Sequence, residues 1–195
     1  EKELAFFGGT FTAISIPLQK EFLSVAKEFI DKGLIKGIRL STRPDNIDLN
    51  IVKMLKEYGV TTVELGVQSL DNKVLSLSER GYRKEEVERA VKLLKDFQIE
   101  VGIQIMPGLP GSSFKSDLQT VKEVIEMKPN FTRVYPTLVI SDTKLEKMFK
   151  NNEFVPLSLD EAVDLTSVII AMLENCKIPI IRVGLQPSED IREEG

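Results

Sequence analysis

The chain has 195 residues, 42% hydrophobic and 29% charged, which predicts one soluble domain, read over residues 1–195, with a sizeable core. Its net charge of −4 comes from 26 basic and 30 acidic residues spread along the chain; this argues against a strongly basic nucleic-acid platform, and with no membrane-length apolar run and no signal peptide the expectation is a cytoplasmic protein with no membrane partner. One cysteine and no histidine exclude an internal disulfide, a histidine-based triad, and a zinc or iron–sulfur site ligated by this chain alone.

The first element is an apolar strand, Leu4 to Phe7, which runs into Gly8 and Gly9. A chain that opens without methionine and almost directly in a strand is expected to be a fragment. A helix follows from about Pro17 to Lys32, with proline in its first turn, an apolar stripe of Phe22, Val25, Ala26, Phe29 and Ile30, and Gly33 as its stop. Gly37 to Arg43 is the second strand, and Asp48 caps a helix whose inward residues are Ile51, Val52 and Leu55.

Thr62 to Gln68 is the third strand, followed by a short helix near Asn72–Ser78 and a longer one near Lys84–Phe97. Ile99 to Met106 is the fourth strand, Ser113 to Met127 a helix, and Thr132 to Ile140 the fifth strand. A short helix near Lys144–Lys150 precedes a long one from Leu159 to Asn175, opened by a Ser158/Glu161 capping box. Cys176 follows the apolar stretch from Ile169 to Leu173 and reads as a structural, partly buried thiol. Ile178 to Gly184 is the sixth strand, and a polar tail ends the chain.

Strands alternating with helices in this way imply parallel strands joined by right-handed crossovers. An open doubly wound sheet and a barrel both satisfy that pattern. Within the strands, Ile38 and Leu40 alternate with Arg39, Ser41 and Arg43; Val63, Leu65 and Val67 with Glu64, Gly66 and Gln68. Ile99, Val101, Ile103 and Ile105 alternate with Glu100, Gly102, Gln104 and Met106; Val134, Pro136 and Leu138 with Arg133, Tyr135 and Thr137. A packed barrel interior is dominated by branched apolar residues, and uncompensated buried charge is costly. The polar faces therefore predict a wet, ligand-sized lumen, the alternative being strands with one solvent-exposed face.

Short motifs end successive strands. Gly8-Gly9-Thr10 is either a turn or a place where backbone amides approach a ligand. Arg43, in Ser41-Thr42-Arg43-Pro44-Asp45, could hold a carboxylate bidentately or form a structural salt bridge. Gln68 ends the third strand with both donor and acceptor capacity, and Met106-Pro107-Gly108-Leu109-Pro110-Gly111 is a rigid loop after the fourth.

Taken in order, Gly8-Gly9-Thr10, Thr42-Arg43-Pro44-Asp45, Leu65-Gly66-Val67-Gln68-Ser69 with Arg80-Gly81, Met106-Pro107-Gly108-Leu109-Pro110 and Tyr135-Pro136-Thr137-Leu138-Val139-Ile140 resemble the radical S-adenosylmethionine superfamily. The nearest likeness is to the radical domain of Elongator catalytic subunits, with oxygen-independent coproporphyrinogen oxidases further off. The likeness runs to about Ile140, and more faintly to Gln186. It implies an α/β fold, an incomplete (β/α) TIM-like barrel of about six parallel strands lacking the first strand and cluster loop.

The resemblance further implies S-adenosylmethionine and a 4Fe–4S cluster as cofactors, the cluster's three cysteine ligands lying outside this chain, and an external electron donor. Gly8, Gly9 and Thr10 match the segment holding the methionyl amino group; Gln68 and Arg80 match contacts to the ribose and carboxylate region. Gln104 falls where a relative has an aspartate, Met106 where an apolar side chain supports adenine, and Ser41 where relatives often have a glutamate; Arg43 completes this set. Arg133, Tyr135 and Arg182 are candidate substrate contacts, for a tRNA nucleoside or a tetrapyrrole by analogy. The parent protein would generate a deoxyadenosyl radical for hydrogen abstraction, and this fragment alone would be inactive. The rival readings are an unrelated barrel aldolase or isomerase and a non-catalytic ligand-binding scaffold.

Overall fold

A computed structural model describes residues 2–185. Six strands form one sheet: β1 Leu4–Phe6, β2 Ile38–Thr42, β3 Val60–Gln68, β4 Glu100–Ile105, β5 Phe131–Val134 and β6 Ile180–Val183. All neighbours are parallel and the spatial order is the sequence order, β1 to β6. A doubly wound sheet reverses its strand order at a switch point. Here no reversal occurs, so every crossover advances the same way and the sheet curls into a half-barrel.

The connecting helices are α1 Ile16–Asp31, α2 Leu49–Glu57, α3 Asn72–Leu77, α4 Lys84–Asp96, α5 Phe114–Met127, α6 Lys144–Lys150 and α7 Leu159–Asn175. Their starts are the ones the sequence marks. Asp48 accepts from the Ile51 amide at 2.8 Å, and Ser158 and Glu161 form a reciprocal capping box. Between helices and sheet lies the core: Leu40, Val63, Leu65, Val67, Val101 and Ile103 from the strands meet Leu55, Val87, Leu94, Val121, Val124 and Ile169 from the helices, all essentially fully buried. Each such side chain contributes about 1.5–3 kcal/mol of burial free energy. On β2, β3 and β4 the apolar half of the alternation therefore faces outward to the helices, leaving the polar half to face the lumen.

Four expectations need correction. β3 begins at Val60, because Gly59, at φ +84°, turns the chain straight out of α2 and Val60 already pairs with Ile38. β5 ends at Val134, because β4 has given way to the Pro107 loop and Pro136 brings no N–H. The amides of Tyr135 and Thr137 still donate to Ile105 and Pro107 at 2.9 Å each, so the segment continues upward without a regular ladder.

The buried face of α1 is Gln19, Leu23 and Ala26, while Phe22, Val25 and Phe29 stay 40–53% exposed. Gln19 sets that rotation: its buried amide donates to the carbonyls of Thr12 and Ile14, at 3.2 and 2.7 Å. Cys176 is exposed, not partly buried. The inward stripe of α7 is Leu165, Ile169 and Leu173; the helix ends there, and Ile178 takes the next buried position as its amide bonds the Leu173 carbonyl. The polar tail and Gln186 lie outside the described residues.

Candidate functional site

The lumen has a built floor. Phe131 turns its ring onto the bare face of Gly102, where a Cβ would lie 2.2 Å from the ring. The Arg39 guanidinium stacks on the same ring at 5.0 Å. Because Gly102 has no side chain, Arg133 on β5 can reach over β4 to Glu64 on β3. Its Nε donates to Glu64 Oε2 at 2.6 Å and its Nη2 to Oε1 at 3.1 Å. Arg39 Nη1 donates to the same Oε1 at 3.2 Å and is itself paired with Glu3.

Glu64 is only 4% exposed, and a carboxylate at that depth persists because two guanidiniums compensate it. The hydrogen bond to Glu64 is also the first cause holding Arg133 above the usual arginine range. Arg133 Nη1 lies 3.3 Å from the Tyr135 hydroxyl oxygen, and the guanidinium stacks on Phe7 at 5.7 Å. Its fork is therefore committed to the protein.

Above this floor opens a cavity of about 630 Å³, within the range of small-molecule sites. On the β1 side, the loop after Phe7 is tied down from both ends. Thr12 and Thr42 hydroxyls are 2.5 Å apart, and Ser41 Oγ donates to the Gly9 carbonyl at 3.3 Å. Gly8 takes φ +103°, a conformation side chains resist. A Cβ added at Gly8 or Gly9 would meet nothing within 4 Å, so this edge is open space in which backbone can approach a ligand.

The middle wall is more strained. β3 ends in a bulge between Gly66 and Gln68, and Gln68 holds φ +66° without being glycine. The bulge is braced from behind by Tyr82, whose hydroxyl lies 2.7 and 3.0 Å from the Gly66 and Val67 carbonyls. Burial pushes the Tyr82 phenol up to about 12, so it stays protonated and donating. Gln68 thereby points into the cavity, and its Oε1 is buried with no protein partner.

Arg80 lines the same wall. Its Nη2 approaches Met106 Sδ at 3.5 Å, its Nε is buried without a partner, and no carboxylate among the described residues pairs with it. Burial, and then the nearby Arg43 charge, hold it below the usual arginine range, although a guanidinium remains cationic. Arg43 is arranged differently. Its Nε and Nη2 hold Asp45 bidentately at 2.9 and 2.8 Å, so of the two roles open to it, the salt bridge is the one formed.

The β4 side is closed by the loop after Ile105. Asp117, 5% exposed at the start of α5, accepts from the Gly108 amide at 3.0 Å and fixes the loop. Burial pushes the Asp117 carboxyl up to about 6, against the lowering effect of that amide. Gln104 and Met106 face the cavity from this side.

Gly8, Gly9, Thr10, Ser41, Arg43, Gln68, Arg80, Gln104 and Met106 thus all line one cavity, together with Arg133 and Tyr135. Arg182 does not line it; its Nε donates to the Gly184 carbonyl at 3.2 Å. The sequence reading missed Glu64 as a site residue, although its place on the polar face of β3 was visible. Chemically, the wall offers an unpaired cation at Arg80, an unpaired acceptor at Gln68, open glycine backbone and a soft thioether at Met106. Those groups fit a zwitterionic ligand carrying a carboxylate. No cluster of three or more Cys, His, Asp or Glu side chains that could hold a metal ion occurs among the described residues.

Comparison with known proteins supplies the relationship. The sequence model of the radical SAM superfamily matches residues 1–124, and that of the radical SAM C-terminal domain matches residues 129–194. The tRNA uridine(34) acetyltransferase of Methanocaldococcus infernus is 34% identical over an alignment of 185 residues that covers 85% of this chain and 35% of that protein. The chain therefore spans about a third of the length of the curated relatives it matches. The solved structure of archaeal Methanocaldococcus infernus Elp3 with an N-terminal deletion superposes at TM-score 0.81 and 29% identity, over 94% of this chain and 51% of that one. Coproporphyrinogen III oxidase of Escherichia coli shares the fold at TM-score 0.69 and 21% identity, over 89% of this chain and 40% of that one.

Proposed function

The chain belongs to the radical SAM superfamily, and from that premise we propose that it forms the S-adenosylmethionine-binding wall of an Elp3-like tRNA-modifying enzyme. When reduced by one electron from a 4Fe–4S cluster, the cofactor supplies a deoxyadenosyl radical that abstracts hydrogen from substrate. The cluster has no ligand set among the residues described, since Cys176 is the only cysteine and stands exposed at the end of α7. Its three cysteines are assigned to residues outside this chain, and the chain alone is expected to be inactive.

The observation that carries the reading is the pair of unpartnered groups in one wall, Gln68 Oε1 and Arg80 Nε. A buried polar group without a partner costs about 1–3 kcal/mol, a cost relieved when a ligand supplies the partner. In this reading Arg80 holds the methionyl carboxylate and Gln68 a ribose hydroxyl. The open backbone at Gly8-Gly9-Thr10 receives the amino group, Met106 supports the adenine, and Ser41 and Gln104 bond hydroxyls. Tyr135 faces the substrate, and the relatives' activity on tRNA uridine(34) supports a tRNA nucleoside in that place. The same kinship supports an external electron donor and a cytoplasmic location.

The test uses the full-length, cluster-loaded protein with a reductant and S-adenosylmethionine, under exclusion of oxygen. Formation of 5′-deoxyadenosine and methionine is expected. A protein with an intact, reducible cluster that makes neither overturns the reading.

A further inference from the structure

Arg43 stands at the junction of everything that shapes the wall, yet its own fork does not face the cavity empty. Nε and one Nη2 hydrogen hold Asp45, and Nη2 also donates to the Arg80 carbonyl at 2.5 Å. The face of the guanidinium lies over the Tyr82 ring at 5.4 Å. Bidentate carboxylate binding and aromatic stacking both use the planar geometry of arginine, which lysine lacks. A ligand carboxylate wanting the same fork would have to displace Asp45.

The neighbouring backbone is shaped around this guanidinium. Gly81 takes φ +76°, and a Cβ there would come within 3.3 Å of Arg43 Nη2. The backbone conformation favours glycine here, and an added Cβ would also press lightly on the guanidinium. Arg80 precedes it and Tyr82 follows it, and Tyr82 reaches back to brace the carbonyls of Gly66 and Val67 in the bulge before Gln68. One side chain from the end of β2 therefore joins the two segments that carry the unpartnered Arg80 Nε and Gln68 Oε1.

We infer that Arg43 is a positioning residue: anchored by Asp45 and Tyr82, it holds the Arg80–Tyr82 segment so that Arg80 meets a ligand carboxylate it does not itself touch. The inference rests on the cofactor reading above and assigns Arg43 an indirect role within it.

Two ligands separate direct from indirect action: S-adenosylmethionine, and decarboxylated S-adenosylmethionine, which lacks only the carboxylate. Affinities are measured by anaerobic calorimetry on the full-length, cluster-loaded protein. Arg80→Met is expected to weaken S-adenosylmethionine binding about 10- to 100-fold, the range for hydrogen bonds to charged groups, and to change the decarboxylated ligand far less. Arg43→Gln is expected to reproduce that selective loss and to add nothing to Arg80→Met in the double variant. Asp45→Asn, which loosens the anchor while leaving Arg43 in place, is expected to give a smaller loss with the same selectivity, and it carries the test if Arg43→Gln does not fold.

An equal loss for both ligands, a loss additive with Arg80→Met, or no loss at all overturns the positioning role while leaving the cofactor reading intact. A wild-type protein that binds neither ligand overturns the cofactor reading, and the positioning role falls with it.

Discussion

Arg133 crosses over β4 to grip Glu64 with two parallel hydrogen bonds of 2.6 and 3.1 Å, joining strands that are not neighbours in the sheet. The bare Gly102 beneath makes that reach feasible. Because the carboxylate is almost fully enclosed and also serves Arg39, the floor behaves as one unit.

Glu64→Ala is expected to destabilise the fold by about 3 kcal/mol, since removing one partner of a buried pair leaves charge uncompensated. Arg133 retains some solvent access, which keeps the loss at the lower end. Urea denaturation checks the value, and Glu64→Gln, which keeps one acceptor, should lose distinctly less.

Gly102→Ala is expected to cost about 1–3 kcal/mol through overpacking against the Phe131 ring. Combining it with Phe131→Leu should recover much of that loss. Additive losses in the double variant would show that the ring is not the obstacle.

Tyr82→Phe removes the hydroxyl that braces the Gly66 and Val67 carbonyls, with an expected cost of about 1 kcal/mol. Hydrogen exchange should locate the effect, with the amides of Ser69 and Met106 exchanging faster while those of β2 stay protected.

Asp117 gives a pH signature. In the folded protein burial raises its carboxyl to about 6, above its value in the unfolded chain. The native state therefore binds the extra proton, and the stability linked to this group is complete below pH 4 and lost as pH rises through about 6. The full swing is about 3 kcal/mol from that rise. Asp117→Asn, whose amide oxygen can still accept from the Gly108 N–H, should abolish this slope and leave the protein at least as stable at pH 7 in denaturant titrations.

Much of the fold was legible because a parallel sheet covered on one face by helices writes its two faces as alternating residues. Val63, Leu65 and Val67 against Glu64, Gly66 and Gln68 separate core from lumen without any knowledge of tertiary contacts. The wall of the cavity was legible for a related reason: barrel ligands collect where strands end, and the glycines, Gln68 and Met106 stand at those ends.

What stayed hidden depends on where side chains are aimed, at partners both near and remote in sequence. Glu64 reads as a lumen polar residue, but its ion partners lie 25 and 69 positions away on other strands. The rotation of α1 follows from Gln19 capping two loop carbonyls, so a polar residue outranks phenylalanines for the buried face. Arg43 has the composition of a ligand contact and the geometry of a brace, and only the position of Asp45 separates those roles. Arg182 lies in register with Arg133, yet it bonds the backbone beyond its own strand and does not line the cavity.

The strictly sequential order of the six strands has a consequence for how the molecule opens. Among the described strands, backbone pairing runs only between sequence neighbours, so in this chain alone unfolding can start at either margin and progress inward. The last amides to exchange should be those of β3 and β4 at the centre, while β1 and β6 open locally at far lower free energy. A ligand bridging Gly8-Gly9 and Met106 would tie the β1 margin to this slow-opening centre, and its binding should be read most strongly as protection at that margin.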